Sequence, residues 1–123
     1  MDSRSPLVAA GAINGALAVA AGAFAAHGLR DRLETRALEI FETAARYHMY
    51  HALAMVLAGL LLARRAGWTF QLGIALFSGS LYALALTDVK VLGAVTPLGG
   101  LAFLVGWLWL AITVLKPPAA ARS

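Results

Sequence analysis

The side chains with which this sequence could do chemistry are His27, His48 and His51 and the hydroxyls of Ser78, Ser80 and Tyr82. Imidazoles hold zinc or copper, and two from facing helices can ligate a haem. His48 and His51 stand three residues apart in Arg46-Tyr-His-Met-Tyr-His-Ala-Leu-Ala-Met55, and so share one helix face. Ser78, Ser80 and Tyr82 follow one another in Phe77-Ser-Gly-Ser-Leu-Tyr82 and could line a polar path. Motifs of established chemistries are missing. There is no His-Glu-x-x-His and no Gly-x-Ser-x-Gly elbow. There is also no cysteine, which excludes disulfides, thiolate metal sites and cysteine nucleophiles. Thr96-Pro-Leu-Gly-Gly100 opens a helix with glycines but lacks the length and lysine of a phosphate loop. It reads as a closely packed helix start, with Thr96 as N-cap and Pro97 in the first turn.

A plainer reading competes for each of these groups. Tyrosine and histidine at the entrance of an apolar segment form an interfacial belt, half wet and half apolar. Serines in lipid bond across helices, at about 0.6 kcal/mol each, and Asn14 has the same default. The expectation is therefore no catalytic residue and no metal centre. His27, His51, Ser78, Ser80 and Tyr82 are the candidate ligand-binding set, and the cofactor is left open among metal, haem, quinone and lipid.

The elements that must position these groups are set by composition. Of 123 residues, 61% are hydrophobic and 13% charged. A soluble domain carries roughly 25% charge, so membrane residence is the leading class. The net charge is +4, but the basic residues are scattered at the edges of apolar runs, which gives nucleic-acid binding no support.

One membrane domain is expected over 1–123: an all-α integral membrane four-helix bundle with an additional amphipathic helix between spans 1 and 2. The spans are about 7–27, 47–63, 68–86 and 96–115, the amphipathic helix covers about 31–46, and the tail 116–123 is expected to be disordered. Each span approaches the ~20 residues that cross a hydrocarbon core of ~30 Å. Ala23-Phe24-Ala25 resembles a signal-peptide cleavage site, but the apolar run before it is longer than the ~7–15 residues of such segments. Retention as a span is expected, with Gly28 as a left-handed C-cap.

Asp31 and Glu34 suggest a capping box. Leu33, Ala37, Ile40, Phe41 and Ala44 recur at helical spacing, and Glu42–Arg46 is a favourable i,i+4 pair. No glycine or proline lies between Asp31 and Met55, so this helix can run on into the second span, protruding from the bilayer or bending near Thr43–Tyr47. Close helix packing is expected at Gly11, Asn14, Gly15, Gly22, Gly79, Gly99 and Gly100. Four spans place both termini and Arg64-Arg65 on one side. The basic residues tie at five a side, and the reading adopted puts both termini in the cytoplasm.

Four strings together carry a resemblance: Gly22-Ala-Phe-Ala-Ala-His-Gly-Leu29, Tyr47-His-Met-Tyr-His-Ala-Leu-Ala54, Phe77-Ser-Gly-Ser-Leu-Tyr-Ala-Leu-Ala-Leu-Thr87 and Leu92-Gly-Ala-Val-Thr-Pro-Leu-Gly-Gly-Leu-Ala-Phe-Leu-Val-Gly-Trp107. In this order the chain resembles the small four-span proteins of domain-of-unknown-function family 423, which takes in relatives of the eukaryotic transmembrane protein 256. The resemblance implies an integral membrane location, the inner membrane in bacteria, and no activity. His27 and His51 fit its pattern, while His48 stands where glutamine is expected.

The function expected is a non-enzymatic structural, assembly or stress-related membrane factor. The alternative is small-ligand binding or transport through His27, His51 and the Ser78/Ser80/Tyr82 face. Proton-coupled export lacks its carboxylate, because every Asp and Glu falls outside the apolar cores. The expected partners are the lipid bilayer and a second copy of the chain or another membrane protein, and no nucleic acid.

Overall fold

The computed structural model describes residues 4–116. The tail expected to be disordered, 116–123, lies outside the described residues but for Lys116. Helix α1 (Ser5–Phe24) continues through a π-helical turn at Ala25–Leu29. Helix α2 spans Thr35–Leu60. Helix α3 (Arg64–Gly73) passes through a second π turn, Ile74–Ser78, into α4 (Gly79–Thr87), so that the three form one long rod. A 3₁₀ turn at Lys90–Ala94 leads into α5 (Thr96–Leu115). The described residues contain no strand, and the fold is the expected all-α membrane bundle.

Three of these rods are long and apolar enough to cross a membrane: Pro6–Leu29, Arg64–Thr87 and Lys90–Leu115. Helix α2 is long but more polar. Its first half exposes Arg36, Glu39, Glu42 and Arg46, and its second half, Tyr47–Leu60, carries no acidic or basic residue apart from the two histidines. A charge at the hydrocarbon centre costs about 2.5–3.5 kcal/mol, so the two halves of α2 have very different affinities for lipid.

Neighbouring rods run antiparallel. Gly59 of α2 abuts Val8 near one end of α1, and Phe41 meets Phe24 at the other. Phe70 lies beside His51, and Tyr82 beside Phe41. Gly73 faces Phe103 and Gly106 faces Phe70, which fixes α5 against α3. The larger core cluster gathers Leu7, Met55, Ala58, Phe70, Ile74 and Phe103, and a smaller one forms around Ala25, Leu29, Phe41 and Ala85.

Several boundaries differ from the sequence reading. The amphipathic helix begins at Thr35, not Asp31, with Glu34 extended and making no side-chain cap. The π turn carries the first helix on to Leu29, and a turn closed by the Arg32 and Leu33 N–H groups on the Leu29 carbonyl follows it, so Asp31 lies in that turn and not at a helix start. The amphipathic segment and the second span form one α-helix without a break. Gly28 lies inside the π turn and is not left-handed, since no described glycine has positive φ. Left-handed backbone falls instead on Leu62, in the tight α2–α3 turn, and on Asp88, which caps α4. Arg64 and Arg65 are the first residues of α3, so the third rod begins four residues before the expected span at 68. Thr96 is the first residue of α5, whose N-cap is Val95. The Thr96 hydroxyl is drawn across to Ser80. The Glu42–Arg46 pair is not closed within the described chain.

Candidate functional site

The polar side chains inside the bundle form two separate constructions, both anchored on α2. The first is a chain of hydrogen bonds through His48. Tyr82 Oη lies 3.0 Å from His48 Nδ1. His48 Nε2 lies 2.9 Å from Asn14 Oδ1. Asn14 Nδ2 donates to Gln71 Oε1 at 2.8 Å and to the Ala10 carbonyl at 2.9 Å, with Met55 Sδ at 3.7 Å. The Asn14 amide donors are committed on one side, so its oxygen accepts from His48 Nε2–H. His48 Nδ1 then accepts the Tyr82 hydroxyl proton. The result is a neutral imidazole joining α1, α2 and the α3–α4 rod.

The second construction surrounds His51. Its Nδ1–H donates to the Tyr47 carbonyl at 2.8 Å, one turn earlier. The Trp107 indole N–H donates to His51 Nε2 at 3.1 Å. A carbonyl only accepts and an indole only donates, so the tautomer follows from the partners. The ring lies flat on Phe103, with centroids 3.5 Å apart and planes 6° apart. Tyr47, Tyr50, His51, Phe77, Phe103 and Trp107 line a groove of about 440 Å³ between α2 and α5.

Hydroxyls supply two further ties. Ser78, fully buried at the end of the π turn, donates to the Ala44 carbonyl at 2.8 Å. Ser80 bonds the Phe77 carbonyl at 3.0 Å and the Thr96 hydroxyl at 2.6 Å. Among the described residues no buried side-chain nitrogen or oxygen lacks a partner.

The candidate ligand set is therefore dispersed. His51 stands in the α2–α5 groove, Ser78 points into the α2 backbone, Ser80 turns to α5, and Tyr82 belongs to the His48 chain. His27 is exposed on the first π turn and has no hydrogen-bond or ring partner among the described residues. It does not meet His51, so a haem or metal held jointly by these two has no geometric basis. His48, discounted because glutamine was expected there, is the hub of the longer network. Gln71 was also missed, because a glutamine shortly after Trp68 looks like an interfacial residue.

The small residues divide in the same way. A Cβ on Gly11 would stand 2.9 Å from the Ala52 carbonyl oxygen and 2.9 Å from the Val56 nitrogen. A Cβ on Gly99 would collide with the Phe77 backbone. At these two positions backbones touch, and only glycine fits. Gly100 and Gly79 leave ordinary space, and around Gly15 and Gly22 a Cβ would meet nothing within 4 Å. At Gly15 and Gly22, therefore, no close approach inside one chain requires glycine. Gly59, Gly67, Gly73 and Gly106, not singled out from sequence, receive Val8, Leu7, Phe103 and Phe70.

Comparison with known proteins agrees with the resemblance noted from sequence. Residues 21–100 match the family described as "Protein of unknown function (DUF423)". The chain is 49% identical over 112 residues to a UPF0382 membrane protein of Staphylococcus epidermidis, covering 86% of this chain and 92% of that one. It is 45% identical over 114 residues to the UPF0382 membrane protein YwdK of Bacillus subtilis, covering 86% and 93%. No solved structure matches it.

Proposed function

This chain belongs to the DUF423 family of membrane proteins, and on that premise we propose that it is a non-enzymatic structural or assembly component of a bacterial inner membrane. The observation that carries this reading is the self-sufficiency of its polar interior. His48, His51, Asn14, Ser78 and Ser80 all spend their hydrogen bonds on the protein itself. A reactive centre keeps a donor, acceptor or lone pair free for its substrate. These groups hold helices together, where interhelical packing and bonding drive association in lipid.

In this reading the bundle is multi-pass, with α2 crossing the hydrocarbon beside the three apolar rods. Both termini, with Arg64, Arg65 and Lys116, face the cytoplasm. Gentle purification in native-like lipid, with metal analysis, a visible spectrum and mass spectrometry of bound molecules, tests the role. Folded protein free of stoichiometric metal, haem or quinone is expected. A reproducible turnover lost on His51→Ala would overturn the proposal.

A second reading is favoured by the groove beside His51. Its wall of Tyr47, Tyr50, Phe77, Phe103 and Trp107 suits a flat or chain-like apolar molecule such as a quinone or a lipid tail. That reading predicts a copurifying molecule displaced by Gly100→Leu.

A further inference from the structure

The outward face of α2 and the outward face of α1 disagree at the same depth. On α2, Glu39, Glu42, Arg46, Tyr50, Leu53 and Leu57 recur at three- and four-residue steps, and all are exposed. The stripe is charged as far as Arg46 and apolar from Leu53. Helix α1 runs antiparallel beside it, level at Asn14 with His48 and at Phe24 with Phe41. Between those levels α1 exposes Leu17 (55%), Val19 (61%) and Phe24 (52%), as a lipid-facing helix does.

Depth can be measured along the α3–α4 rod. Arg64 and Arg65 begin it, so a hydrocarbon layer of ~30 Å laid from Arg65 reaches about Ala85, at ~1.5 Å per residue. Ser78, inside that interval, bonds the Ala44 carbonyl. Glu42 and Arg46 flank Ala44 on the outward side of α2 and therefore stand within the hydrocarbon layer. No ion pair engages Arg36, Glu39, Glu42 or Arg46 among the described residues. Charges at this depth face a polar partner, not acyl chains.

The pattern of charge identifies the partner. The face is balanced, with Glu39 and Glu42 against Arg36 and Arg46, and Glu42 and Arg46 lie one turn apart. A two-fold axis along the membrane normal brings two α2 helices together in the same orientation. Side chains a turn apart then reach each other reciprocally, Glu42 to Arg46 of the second copy and the reverse, as an isologous contact requires. We propose that the outward face of α2 from Glu39 to Tyr50 is a homodimer interface closed by two such pairs. The proposal needs only membrane residence and stands apart from the function proposed above.

The absence of cysteine makes the test direct. In native membranes, Tyr50→Cys is expected to form a disulfide-linked dimer under mild oxidation. Ile13→Cys, exposed on α1 beside Asn14 and so at similar depth, is expected to stay monomeric. Copurification of two differently tagged copies gives the second arm. E42R alone and R46E alone are each expected to lose association at least about tenfold through like-charge opposition. An E42R copy mixed with an R46E copy is expected to recover it, although neither chain then carries its own Glu42–Arg46 pair. The proposal is overturned if Tyr50→Cys stays monomeric or links only to other proteins. It is equally overturned if a membrane-impermeant maleimide labels Tyr50→Cys fully in intact membranes, or if E42R associates as wild type does.

Discussion

His48 and His51 sit one turn apart on the same helix and do different work. His48 is buried in a chain of side-chain bonds that joins three rods and ends in the protein at both extremities. His51 is held by one backbone carbonyl and one indole, stacked on Phe103 at the wall of an outward-opening groove. Removing the first leaves buried groups without partners, whereas the second is backed by aromatic surface that remains when its hydrogen bonds are gone. Equal spacing in sequence thus says little about equal energetic weight.

Substitutions can break or sharpen that contrast. The largest effect is expected from His48→Ala, which strands the Asn14 oxygen and the Tyr82 hydroxyl and opens a void. A loss of about 3 kcal/mol is expected, read as a lowered unfolding midpoint in detergent or lipid. His51→Phe retains the stack on Phe103 and forfeits both hydrogen bonds, so about 1 kcal/mol is expected in the same assay. Equal losses from the two variants would erase the distinction. His48→Gln sharpens it, because an amide has both a donor and an acceptor and can keep the bond to Asn14. Its cost is expected near 0.5–1 kcal/mol, well below that of alanine. Ser78→Ala removes one interhelical bond to the Ala44 carbonyl and is expected to cost about 0.6 kcal/mol. His27→Ala, at an exposed ring without a partner, is expected to leave the midpoint within ~0.5 kcal/mol of wild type.

What the sequence made legible follows from which forces are local. Apolar runs disclose membrane rods because transfer to lipid depends on each residue's own side chain, and the α1, α3–α4 and α5 rods lie where those runs are. Asn14 and Ser78 stood out as polar groups in oil, whose only stable fate is a partner. The identity of the partner was not legible, since it depends on which rods lie side by side. The small-x-x-x-small pattern marked Gly11 and Gly15 alike, yet only Gly11 meets another backbone. Gly73 and Gly106 went unnoticed because the aromatic rings that fill them come from distant parts of the chain. A family pattern with glutamine at position 48 drew weight away from His48, although the amide and the imidazole both supply a donor and an acceptor.

The π turn at Ile74–Ser78 has a consequence for how this chain tolerates change in its length. Buried positions on the rod step through Ala66, Phe70, Ile74 and Ser78 with four-residue intervals, wider than the 3.6-residue period of an α-helix, and Ala85 closes the series. The π turn absorbs that drift as a single surplus residue. Deleting one residue there converts the turn to plain α-helix and leaves the flanking faces aimed at the same neighbours. The same deletion a few positions away, in α3 or α4, would swing every following side chain by about 100°. The rod therefore has one elastic joint, where evolution or an engineer can shorten the chain without rewriting the contacts on either side.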